Sequence, residues 1–204
     1  RALAGIALFG VLIAVVVALS ARGGQEADTT ASATGQADDS VGKAAFLGEQ
    51  LIPPRAAPDF DLIDHYGNAA SMRDLRGKLV LMSFAYTSCP DVCPILFGHF
   101  LSVQKQFAEE LDDNLALVLV TVDPEVDTPE RLSERTEAMG GRWRFLTGDM
   151  PAMEAMWQAY RVFVEKDGAF VSHSGITYLI DGLGLIRLRY PGAAPAEIFA
   201  ADIR

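Results

Sequence analysis

The sequence predicts an α/β fold of thioredoxin-like order, with an added N-terminal β-hairpin and one transmembrane helix ahead of it. Three observations carry this expectation. Two apolar runs, Lys78–Ala85 (KLVLMSFA) and Leu115–Val122 (LALVLVTV), flank a segment with helical spacing. A second pair of strand-like runs, Ile176–Ile180 and Leu185–Tyr190, is separated by the turn Asp181-Gly182-Leu183-Gly184. Residues 2–21 (ALAGIALFGVLIAVVVALSA) carry no charge.

The N-terminal run is about 20 residues long, enough at 1.5 Å per residue to cross a bilayer core of roughly 30 Å. An uncleaved anchor is expected, because a signal-peptide core is only about 7–15 residues long. A cleaved signal is the alternative, with Ala18 and Ser20 as small residues just before Ala21. The first residue is Arg1 and not Met, so upstream residues are expected. Apart from Arg22, Glu26 and Lys43, the chain from Arg22 to Ala45 is Gly, Ala, Ser, Thr, Gln and Asp, with Val41 as its one bulky aliphatic residue. Such a composition buries too little apolar surface to fold and reads as a tether with a reach of roughly 25–30 Å. The linker is drawn over residues 22–52 and the globular domain over 53–204.

Within the domain, Phe60–Ile63 and the turn Tyr66-Gly67-Asn68 read as a small hairpin. The apolar run at 78–85, the helix after it and the run at 115–122 form a βαβ unit with a parallel pair. Thr128 is placed as N-cap and Pro129 at the first turn of the next helix, which ends at Gly140-Gly141. Met150–Tyr160 is a short helix, Val162–Val164 a strand, and a last helix starts from Pro195.

The formal net charge of −10 argues against nucleic acid or an anionic lipid surface as partner. The two cysteines, Cys89 and Cys93, lie behind an export segment, in a disulfide-permissive compartment. They sit between the first apolar strand and its helix, at a strand carboxyl end, where α/β sheets bind ligands. Four residues apart at a helix start, the sulfurs can share one face, and the helix dipole is expected to lower their pKa. Two soft sulfurs select Cu(I) or Zn over hard cations, and an imidazole completes a three-coordinate set. Three histidines are available. His65, beside a polar turn, is expected to be exposed. His99, six residues past Cys93, is about 240° further round the helix at 100° per residue. His173 lies in Val171–Gly175, a polar break before a strand, and the residues alone leave it open as ligand or plain loop histidine.

Three segments, YTSCPDVCP, TVDPEVDTPE and SHSGITYLID, follow one another in the order and spacing of the Sco/SenC family, which this chain resembles from about Pro58 to its end. The resemblance implies a copper protein of the respiratory chain with the metal on Cys89, Cys93 and His173. It implies delivery of copper to the binuclear copper centre of a cytochrome c oxidase. The copper-accepting oxidase subunit and other copper chaperones are the implied partners, on the periplasmic side of a bacterial inner membrane or in the mitochondrial intermembrane space. Asp123 is similar to an acid near the metal that influences its binding or transfer; the residues alone equally allow a turn-forming Asp-Pro. Two positions depart from the family: Val126 stands where Arg is frequent and Ser172 where Asp is frequent.

Thiol-disulfide exchange through Cys89 and Cys93 is the rival function, since thiols that bind copper also exchange disulfides. Against it, the spacing is C-x3-C, and no proline occupies residues 172–177, where thioredoxins carry a cis-proline. A peroxidase of peroxiredoxin type needs Thr three residues before its cysteine, where Tyr86 stands. A purely structural disulfide gains little stability by closing so short a loop.

Overall fold

The strand order β1-β10-β9-β4-β5-β6-β2-β3 defines a mixed eight-stranded sheet in the computed structural model, which describes residues 46–204. The strands are β1 (Glu49–Ala56), β2 (Leu62–Asp64), β3 (Ala69–Ala70), β4 (Leu79–Ala85), β5 (Leu115–Thr121), β6 (Arg144–Thr147), β9 (Ile176–Ile180) and β10 (Leu185–Pro191). A separate two-stranded ribbon joins β7 (Val164–Asp167) to β8 (Phe170–His173). The helices are α1 (Val92–Gln106), α2 (Pro129–Met139), α3 (Met150–Ala159) and α4 (Ala196–Ile203).

The two apolar runs become the central strands for the expected reason. Every residue of β5, and every residue of β4 after Leu79, is buried, so only a site covered on both faces satisfies them. They pair in parallel, β6 extends the parallel set, and β9 flanks β4 antiparallel. α1 and α4 meet through Phe100 and Phe199, with ring centroids 6.5 Å apart at 78°. α3 is anchored by Trp157 Nε1, which donates to the Thr121 carbonyl at 3.0 Å. The α2 signals act as expected: Thr128 accepts from the Arg131 amide, and Gly140 closes the helix at φ +66°.

Besides the strand expected over Val162–Val164, which begins only at Val164 as β7, two boundaries differ from expectation. β1 starts at Glu49, inside the expected linker. Its sequence, EQLIPPRA, reads poorly as a strand, but it is an edge strand on β10 with a register shift between Gln50 and Arg55, where prolines are tolerated. Asp202 in α4 helps hold this end by accepting from the Leu47 and Gly48 amides, both at 2.8 Å. The second difference is at Val171–Gly175, expected as a polar break. Phe170–His173 is a strand, because Asp167-Gly168 turns the chain back and Val171 packs at 2% exposure. The expected membrane anchor (2–21) and most of the expected tether fall outside the described residues. Among the described residues no helix is long and apolar enough to cross a membrane.

Candidate metal centre

β4 ends at Ala85, and the loop to α1 carries both cysteines. The start of this loop is fixed by Asp127, which is fully buried. Its carboxylate accepts from the Thr87 amide at 3.1 Å and from the Thr87 and Thr121 hydroxyls, the latter at 2.6 Å. Arg131 Nε adds a bond to Thr87 Oγ1 at 2.7 Å. Burial pushes the Asp127 carboxyl above its ordinary range, and the threonine hydrogen bonds work in the opposite direction. The sequence reading does not single out Asp127; its one signal is a second aspartate in TVDPEVDTPE.

α1 begins without a side-chain cap from Asp91. The Cys93 amide instead donates to Cys89 Sγ at 3.4 Å, so the first sulfur takes the place of the cap. Both cysteines are free thiols, Cys89 half-buried and Cys93 1% exposed. The expectation of a lowered pKa fails at Cys93. Burial pushes that thiol far up, and the hydrogen bond with Cys89 adds to the rise. A helix dipole is a fractional charge acting within one turn, and it does not offset near-complete desolvation of a thiolate.

His173 ends β8 and packs edge-on against Tyr86, with ring centroids 6.0 Å apart at 79°. The Tyr86 hydroxyl accepts from the Val171 amide at 3.4 Å, so Tyr86, which follows β4 at the start of the cysteine loop, links that loop to the β7–β8 ribbon. His173 Nδ1 lies 3.1 Å from the Ser174 carbonyl, a bond it makes only as donor, so in the neutral ring Nε2 keeps its lone pair. Burial lowers the His173 pKa from its ordinary value, which favours that neutral ring. Among the described residues no group of three His, Cys, Asp or Glu side chains stands close enough to hold a metal ion. The structure brings Cys89 and Cys93 together and sets His173 one aromatic ring away.

Asp123 is 2% exposed, and its Oδ1 lies 2.6 Å from Lys166 Nζ on β7. Each of the two histidines outside the candidate site keeps one buried ring nitrogen without a hydrogen bond, Nε2 in His65 and Nδ1 in His99. His65 is buried at 3% exposure, contrary to expectation, because its Nδ1 accepts from the Phe145 amide at 3.1 Å at the β2 edge. Burial lowers its pKa. His99 is half-buried on α1, away from the cysteines. The two departures from the family pattern are both on the surface: Val126 is 36% exposed and Ser172 is exposed on β8.

The family model described as SCO1/SenC matches residues 48–204. The mitochondrial protein SCO2 homolog of Homo sapiens is 33% identical over 153 residues, covering 72% of this chain and 58% of the relative. The chain therefore spans less than two thirds of that protein's length. The apo Sco1 protein from Thermus thermophilus superposes with a TM-score of 0.68 at 26% identity, over 78% of this chain and 95% of that one. ScoI from Bradyrhizobium japonicum, solved with copper bound, gives a TM-score of 0.62 at 29% identity, over 72% and 97%. With the central sheet, the cysteine loop at the end of β4 and the histidine ribbon all inside the matched region, the chain belongs to the SCO1/SenC family.

Proposed function

We propose that this chain is a copper-binding chaperone, tethered to a membrane through residues 2–21, that delivers copper to the binuclear copper centre of a cytochrome c oxidase. Its domain works on the periplasmic side of a bacterial inner membrane or in the mitochondrial intermembrane space. The observation that carries the reading is the pairing of a buried Cys93 with Cys89 at the start of α1, next to a histidine whose Nε2 lone pair is free. A buried thiol that resists ionisation on its own releases its proton to solvent when a soft cation takes the proton's place on sulfur, since the ion supplies the positive charge that stabilises the thiolate. Thiolates select Cu(I), and Cys89, Cys93 and His173 are its proposed ligands, as cargo to be passed on. Ligation by all three requires the β7–β8 ribbon to close on the cysteine loop. Copper bound in the Bradyrhizobium japonicum relative supports the choice of metal.

The test is metal stoichiometry of the reduced whole chain. One copper per chain is expected, with severe weakening in Cys89→Ser, Cys93→Ser and His173→Ala. His99→Ala is the control that leaves the fold intact, while His65→Ala, the other control, removes a buried hydrogen bond and needs a parallel stability measurement. Copper retained by His173→Ala and lost by His99→Ala would overturn the ligand assignment.

A second reading, thiol-disulfide reduction of partner cysteines, is favoured by one observation. Cys89 is a partly exposed free thiol at a helix start, with a backbone amide directed at its sulfur. Reduction of a partner disulfide by the copper-free whole chain, at rates that account for oxidase maturation, would put this reading first.

A further inference from the structure

We propose that the cavity lined by Arg55, Arg161 and Arg189 is a binding site for the phosphate dianion. The cavity has a volume of about 200 Å³ and is completed by Glu49, Leu51, Ile176 and Tyr178. Its three guanidinium groups come from three separate parts of the chain: the end of β1, the turn after α3, and β10. Arg189 lies opposite Tyr178 in the β10–β9 register, and all three arginines line the same cavity as the Tyr178 side of that pair.

The charge count selects the ligand. Glu49 is the one acid in the lining, and it accepts from Arg189 Nε at 3.0 Å and Nη2 at 2.5 Å. Among the described residues neither Arg55 nor Arg161 has a carboxylate partner, and Arg55 Nε is buried without any hydrogen bond. Three positive charges against one negative leave two in excess, in a chain whose net charge is −10. A buried charged donor without a partner is costly. A carboxylate ligand removes one of the two excess charges, whereas a phosphate group carries about −1.5 to −2 and offers oxygens that match two guanidinium forks. The volume is below the roughly 300–1,000 Å³ of sites for drug-sized ligands and suits a small anion. The pocket also lies at the base of the β7–β8 ribbon, with Arg161 preceding β7 and Ile176 opening β9 just after His173.

The experiment is calorimetric titration of the whole chain with inorganic phosphate at constant ionic strength, chloride being exchanged for phosphate, with acetate as the monoanion comparison. One saturable site is expected, with acetate at least about tenfold weaker. Arg55→Gln and Arg161→Gln should each lose at least about tenfold in affinity, while Arg142→Gln, whose partner Asp112 lies elsewhere, binds as the parent chain does. Arg161 is exposed, so its variant keeps the test decisive even if Arg55→Gln fails to fold. The absence of saturable binding, equal affinity for acetate, or undiminished binding by Arg161→Gln would each overturn the assignment.

Discussion

Lys166 Nζ lies 2.6 Å from Asp123 Oδ1 and 2.8 Å from Glu125 Oε2, and so pins the ribbon that carries His173 to the turn after β5. Asp123 is nearly inaccessible while Lys166 keeps a third of its side chain in water. The acid is therefore the partner that suffers if the pair is broken. Lys166→Ala is expected to lower the melting temperature and raise amide exchange across residues 164–173, with Lys166→Arg restoring both. Unaltered exchange in Lys166→Ala would remove the pin from the account.

Asp123→Asn is expected to keep the fold and change copper handling, because the amide oxygen still accepts from Lys166 while the charge is gone. Global unfolding of this variant would make Asp123 a purely structural turn residue. Unchanged copper affinity together with unchanged oxidase maturation would leave it without a functional role.

Asp127→Ala should be the more damaging change of the two acids. It orphans the Thr87 amide and the hydroxyls of Thr87 and Thr121 beneath the cysteine loop. With each buried unsatisfied donor costing about 1–3 kcal/mol, and some relaxation of the hydroxyls, a loss of about 3 kcal/mol is expected. Urea unfolding at constant m-value measures it, and a loss below about 1 kcal/mol would mean the network is not what holds the loop.

Copper and a Cys89–Cys93 disulfide should exclude each other, since a metal needs sulfur lone pairs that oxidation removes. Whatever binds the reduced form alone stabilises it by about 2.7 kcal/mol at a hundredfold excess over Kd. For a two-electron couple this raises the apparent reduction potential by roughly 60 mV. Redox titration with and without Cu(I), followed by thiol alkylation and mass, reads the shift. Identical midpoints would remove the cysteines from the copper site.

His65 gives the fold a pH dependence of definite sign. Burial holds its folded pKa below the ordinary 6.5, so between these values the unfolded chain binds more protons than the folded one. Stability therefore rises with pH in that window, is complete above about 6.5, and is lost as pH falls through the folded pKa. His65→Gln should flatten this part of the stability–pH curve, whatever it does to the absolute level. A slope identical to that of the parent chain would refute the assignment.

The sequence by itself determined the frame: which runs are central strands, where α2 is capped, and that two sulfurs sit at the start of a helix. These features are local, carried by apolar composition, by Thr128-Pro129, by Gly140 and by residue spacing. The resemblance added His173 and Asp123 by position in two of the three motifs. What the tertiary structure decided depends on partners distant in the chain. A proline-containing segment became an edge strand because β10 offers it hydrogen bonds. His65, placed beside a polar turn, became buried because the Phe145 amide needed an acceptor. Cys93 lost the advantage of its helix start because the core closed around it, and desolvation outweighs a partial charge. Lys166 and the arginine cavity could not be found from local pattern at all, and Asp127 only as one acid among several in its motif, since each derives its role from charges and donors brought in from other elements.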